Sequence, residues 1–186
     1  MKRIIRPRRD PYGKGIYFTT STIVQWIDLF TRREVQEVII DSLKHCQREK
    51  GLIILAWCLM PSHLHMISAA SNSQITLSDI MRDFKKHTSK ALVKTIGEIN
   101  ESRQDWLTSA FEFAGRTNRK IKDYKVWQDG YHPEEIISQP FMDQKLNYIH
   151  YNAVEAGFVT EPHHYALSSA IDYAGGKGLI DIVFAR

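Results

Sequence analysis

The chain has 186 residues, 43% of them hydrophobic, which suits one domain spanning 1–186 with a core of its own. No apolar run reaches the roughly 18 residues of a membrane span, and the start, "MKRIIRPRRDPYGKG", lacks the apolar stretch of a signal peptide. Net charge is +4, and Cys46 and Cys58 sit in apolar surroundings, which excludes a disulfide scaffold and indicates free thiols in a reducing cytoplasm.

The first elements are basic and then extended. Arg3, Arg6, Arg8 and Arg9, with Lys2, crowd an arm of about residues 1–14 against Asp10 alone. Such an arm contacts phosphates; a solvated tail explains it equally well. "GIYFTTSTIVQW" is β-branched and aromatic, and the composition predicts a strand. In "TRREVQEVIIDSLKHCQREKG", Thr31 and Glu34 make a capping-box pattern. Val35, Val38, Ile39, Leu43 and Cys46 recur at helical spacing, and Gly51 ends the helix. "LIILAWCLMP" and "SHLHMISAA" are two strands split by Pro61-Ser62, close enough for an antiparallel hairpin. "TLSDIMRDFKKHTSKALVKTIGEI" is a second amphipathic helix with Leu77, Ile80, Met81, Phe84, Ala91 and Leu92 as its apolar stripe. Residues 100–125 are polar and basic, with a helix around Trp106 to Phe113. "YKVWQDGYHPEEI" reads as a short strand and turn. "SQPFMDQKLNYIHYNAVEAGF" is a third helix closed by Gly157, and about 158–186 form a weakly patterned tail. The order gives an α+β fold, helices packed on one antiparallel sheet.

Within the hairpin, "HLH" sets His63 and His65 two apart. On a strand both rings leave one face, while Leu64 and Met66 leave the other. Two neutral imidazoles at that spacing hold one metal ion; a core histidine beside one bonded to the backbone is the plainer alternative. The third helix carries two stripes. Met142, Leu146, Ile149, Ala153 and Ala156 form a buried face. Phe141, Lys145, Tyr148 and Asn152 lie about 100° around from it, at the core boundary. Tyr148 and Asn152 are one turn apart, so hydroxyl and amide reach one point, with Lys145 a turn the other way. A tyrosine, an amide and an ammonium beside a two-histidine seat make a phosphoryl-transfer site. Ordinary amphipathic packing of Tyr148 is the rival reading.

"MPSHLHMI" followed by "LNYIHYNAVEAGFV" resembles the single-tyrosine HUH transposases of the IS200/IS605 type, and within them the REP-associated branch. The resemblance runs from near Tyr17 to about Gly157. It implies a ferredoxin- or RRM-like sheet. It implies that His63 and His65 bind a divalent ion, Mg²⁺ or Mn²⁺, with Asn152 completing the shell, and two imidazoles favour Mn²⁺ somewhat. It implies that Tyr148 attacks a single-stranded DNA phosphate next to a hairpin and stays on its 5′ side, so that the function is DNA transposition, often by a homodimer. Such proteins commonly read Asn-Pro where this chain has Asn152-Ala153, a change favourable to a helix.

Other basic residues fit DNA without requiring it. Arg82, Lys86 and Lys90, with Lys94, follow i+4 steps that suit a phosphate backbone or a solvated face. "GRTNRKIKDYK" brings Arg119 and Lys120 near Tyr124 and Trp127, a mixture suited to unpaired bases, although the aromatics suit a core too. Lys145 is placed to neutralise a phosphate, although a helix-surface lysine needs no function. Two rivals stand beside a nuclease: a hairpin-binding regulator without cleavage, and a zinc enzyme drawing on His150, His163 or His164.

Overall fold

The computed structural model describes residues 15–71, 75–116, 124–130 and 132–184. Among the described residues four strands and five α-helices follow one another: β1 (Tyr17–Thr22), α1 (Arg33–Lys50), β2 (Leu52–Met60), β3 (His63–Ala70), α2 (Leu77–Glu98), α3 (Gln104–Arg116), β4 (Glu134–Glu135), α4 (Gln139–Glu155) and α5 (Ala170–Tyr173). The sheet runs β2-β3-β1-β4 with every neighbouring pair antiparallel. This is the expected α+β architecture, helices on an antiparallel sheet in ferredoxin-like order.

Alternation along β3 divides the interior. Leu64 and Met66 join Val35, Ile39 and Leu43 of α1 and Ile80 and Phe84 of α2 in one cluster. Ile67 and Ala69 join Met142, Ile149 and Ala153 of α4 in another. The sheet is therefore sandwiched, with α1 and α2 on one face and α4 on the other. His63 and His65 have the parity of Ile67, so they emerge on the α4 face.

Helix ends follow from local chemistry, with one correction. Gly51 adopts φ 72°, the left-handed turn expected to stop α1. Thr76 and Asp79 close a reciprocal capping box on α2, and Ser138 caps α4. The box expected from Thr31 and Glu34 does not form: Arg32 is the N-cap and makes no side-chain cap. Thr31 Oγ1 instead accepts from Arg103 Nη2 at 3.2 Å, a long-range tie that competes with the local one.

Three further expectations change. The first strand stops at Thr22 rather than Trp26. Gln25 and Trp26 take φ of 56° and 58°, outside any strand geometry, after Ile23 and Val24 have bonded to Ser62 O and Val126 O. On α4, Ala156 is exposed and His150 takes the buried place; on α2, Ala91 is only half-buried, whereas Thr88 and Ile96 are buried. Trp127 belongs to the core: its Nε1 donates to Thr88 Oγ1 at 3.0 Å and its ring packs near Phe30 and Phe84. Tyr124 stays exposed.

The C-terminal segment is an ordered part of the fold. It runs beside β2, where Leu59 N donates to Leu167 O, Ser169 N to Trp57 O and Val183 N to Ile54 O. Tyr165 and Tyr173 hydroxyls donate to Leu59 O and Leu55 O. Cys46 and Cys58 are free and buried. Among the described residues no helix is long and apolar enough to cross a membrane.

Candidate active site

The site forms where the start of β3, the middle of β1 and the middle of α4 meet. Antiparallel register sets Thr20 opposite His65 and Thr22 opposite His63. The two imidazoles lie 4.6 Å apart, ring centre to ring centre, and Tyr148 of α4 sits edge-on to His65 at 5.1 Å. Phe18 stacks on His65 at 5.7 Å and meets the Tyr148 ring at 5.9 Å, so the three rings form a triangle. Strand parity brings the histidines to this face, and helical spacing brings Tyr148 against His65.

Each histidine is oriented through Nδ1. Thr20 Oγ1 lies 2.8 Å from His65 Nδ1, and Ser62 Oγ lies 2.9 Å from His63 Nδ1. In the tautomer whose Nδ1–H donates to these hydroxyls, both Nε2 lone pairs are left free. His65 Nε2 is buried and has no hydrogen-bond partner. A buried acceptor without a partner is costly unless something else occupies its lone pair. Burial also lowers the pKa of His63. His65 is pushed down to about 3, first by burial and then by His63 and Lys145 nearby. Both rings are therefore neutral at neutral pH, the form that binds a cation. The donor set fits a divalent ion.

Lys145 is drawn into this cluster from α4. Its Nζ lies 4.2 Å from the centre of the Phe18 ring and pairs with Glu134 of β4 at 2.9 Å. Its charge thus sits beside the ring that stacks on His65. Asn152 lies one turn beyond Tyr148 on α4 and is half-buried. Tyr151 is exposed and is not among the rings around His65.

Other candidate residues lie elsewhere. Arg82, Lys86 and Lys90 are exposed on α2, across the sheet from the histidines, and Arg82 is paired with Asp79 and Asp83. Arg3, Arg6, Arg8, Arg9, Arg119 and Lys120 lie outside the described residues. His150, a possible zinc ligand from sequence, has its Nε2 3.0 Å from Ser169 Oγ and is pushed down to about 4 by burial; it is a satisfied core histidine. His163 and His164 share a short turn, and among the described residues no three His, Cys, Asp or Glu gather as a metal cage.

Sequence reasoning missed Phe18, Thr20, Ser62 and Glu134. The first two were accessible in principle. In "YFTTST" residues 18, 20 and 22 share parity, and pairing β1 with β3 puts that parity on the histidine face.

A small antiparallel sheet thus carries two histidines on one strand, faced by a tyrosine-bearing helix. The family described as "Transposase IS200 like" matches residues 26–124, just over half of the chain, and the chain belongs to it. That span contains both histidines and ends before α4. A protein of Haemophilus influenzae (strain ATCC 51907 / DSM 11121 / KW20 / Rd), named "Putative REP-associated tyrosine transposase", is 21% identical over 162 residues, covering 87% of this chain and 83% of that protein. A solved structure of a REP-associated tyrosine transposase bound to a REP hairpin shares the fold with a TM-score of 0.61. Its identity is 20%, with 98% of this chain and 92% of that one covered.

Proposed function

We propose that this transposase-family chain cuts and rejoins single-stranded DNA beside a hairpin through a covalent tyrosine intermediate, with Tyr148 as nucleophile. The observation that carries the reading is Tyr148 edge-on to His65, itself 4.6 Å from His63. The phenolic oxygen attacks the scissile phosphorus, and the bond to the 3′-oxygen breaks. The phenol gives up its proton and the departing 3′-oxygen gains one, so one phosphate ester is exchanged for another. The 5′-phosphate stays on the tyrosine, and a 3′-hydroxyl reverses the step to rejoin the strand. His63, His65 and Asn152 would hold Mg²⁺ or Mn²⁺, which when bound withdraws charge from the phosphate. Thr20 and Ser62 hold the imidazoles in the tautomer that keeps Nε2 available. Lys145 adds positive charge at the same place. Residues 1–186 act as one catalytic unit in the cytoplasm, with the basic arm and Arg119–Lys120 as further DNA contacts.

The main alternative is a hairpin-binding regulator without cleavage. Tyr148, both histidines and Asn152 are all present, which favours the enzyme. The deciding experiment uses strands labelled at either end and carrying the hairpins that flank the protein's own coding sequence. Only the fragment 3′ of the cut should migrate with the protein on a denaturing gel. Tyr148→Phe should form no adduct and still bind hairpin DNA, whereas Tyr151→Phe should form it. Adduct from Tyr148→Phe, or its loss only in Tyr151→Phe, would overturn the assignment.

A further inference from the structure

Trp26 stands out as an aromatic side chain that the fold holds in water at the rim of the site. It is 61% exposed, while its neighbours Val24 and Ile27 are buried. Its ring is edge-on to His63 at 5.6 Å. The turn that carries it is tightly fixed. Trp26 N donates to Ile23 O, Ile27 N to Val24 O, Val24 N to Val126 O, and Gln128 Nε2 to Ile23 O. Gln25 and Trp26 are consecutive non-glycine residues at φ of 56° and 58°. Side chains rarely accept that backbone, and here the surrounding hydrogen bonds enforce it. The outcome is a rigid, solvent-facing indole beside one candidate metal ligand. The other exposed tryptophan, Trp106, is on α3, whose buried residues pack with α1 and α2 on the far face.

The rings run in the order Trp26, His63, His65, Tyr148, so the indole and the tyrosine flank the histidine pair from opposite ends. In a displacement at phosphorus, attacking and leaving oxygens are roughly in line. With attack from the Tyr148 end, the departing 3′-oxygen and its nucleotide lie toward Trp26. A flat, pre-ordered indole accepts an unpaired base by stacking, whichever base it is. We propose that Trp26 is the stacking platform for the base immediately 5′ of the scissile phosphate, a positioning role that rests on the single-strand cleavage reading above.

The test is a binding cycle in the Tyr148→Phe background, which keeps the strand intact. Affinity is measured for Trp26, Trp26→Phe and Trp26→Ala proteins. The strands are the hairpin-bearing one and a set in which one abasic residue is moved through the single-stranded segment. Trp26→Ala should weaken binding of the intact strand by roughly 5- to 100-fold, and Trp26→Phe by much less. The Trp26→Ala loss should nearly vanish when the abasic residue is immediately 5′ of the cut and persist when it is elsewhere. A loss that is equal on every strand, as a merely structural effect would give, overturns the proposal. So does coupling at any other position alone. Failure of the cleavage reading registers separately, as no adduct from the wild-type protein.

Discussion

Thr20 and His65 are partners across β1 and β3, and the threonine hydroxyl lies 2.8 Å from His65 Nδ1. The pairing makes a strand residue into the group that holds the His65 ring through Nδ1. Thr20→Val keeps the shape and removes the oxygen. Divalent-ion affinity should fall about 10- to 100-fold, as for other groups that orient metal-bound histidines. Adduct formation should then recover at high Mn²⁺. Calorimetric titration of Mn²⁺ checks this; unchanged affinity would show that Thr20 does not orient the ring.

His63→Ala and His65→Ala should each abolish adduct formation while leaving the fold intact. The two should not be equal in stability. His65 is buried beneath Tyr148 with its Nε2 unpartnered, so its replacement removes that cost as well as the ring's packing. Hairpin binding should survive in part in both variants, since backbone contacts supply most of the affinity. Normal cutting by either variant with Mn²⁺ would remove the two-histidine seat from the mechanism.

Lys86 and Lys90 are on the helix layer opposite the histidines. A single strand confined to the histidine face would not contact them. Each phosphate contact contributes about −0.7 to the slope of log affinity against log salt for single strands. Replacing both lysines by Gln should therefore leave that slope unchanged, whereas Lys145→Gln should flatten it. A slope flatter by roughly one or more in the double variant would place DNA on α2.

Glu101 ties the start of α3 to the approach to α1. Its side chain is 4% exposed and pairs with Arg32 and Arg103. Donation from Arg103 N, followed by the guanidinium charges, holds its pKa below the ordinary carboxylate range. A lowered folded pKa means the stabilisation is complete above the unfolded value of about 4.3 and is lost as pH falls through the folded value. Glu101→Gln should cost about 1–3 kcal/mol at pH 7, lowering Tm by several degrees. The gap between variant and wild type should shrink on acidification below about pH 4. A gap that stays constant into acid would show that the charge contributes nothing.

Periodicity made the sheet, the hairpin and the three main helices legible because each is dictated by local spacing. "HLH" shared a face for the same reason. What eluded the sequence was set by tertiary partners. Thr31 offered a capping pattern, and Arg103, far along the chain, took its hydroxyl instead. "TIVQW" has strand composition, but hydrogen bonds to residues 62 and 126 bend it into a left-handed turn. Trp127 and Tyr124 looked alike as potential base platforms, and only packing separates a core ring from an exposed one. Residues 158–184 carry little periodic pattern because their order comes from hydrogen bonds to β2.

Those hydrogen bonds bear on how copies of the chain can associate. A strand at the side of a sheet ordinarily offers its free amides and carbonyls as a template for another chain. Here the outward groups of Ile54, Leu55, Trp57 and Leu59 are already taken by Val183, Tyr173, Ser169, Leu167 and Tyr165. At the opposite side, β4 is only two residues long, and Glu134 there is paired with Lys145. The β2 side of the sheet is closed to strand addition by the chain's own C-terminal segment, and shortening the C-terminus would open a sticky border.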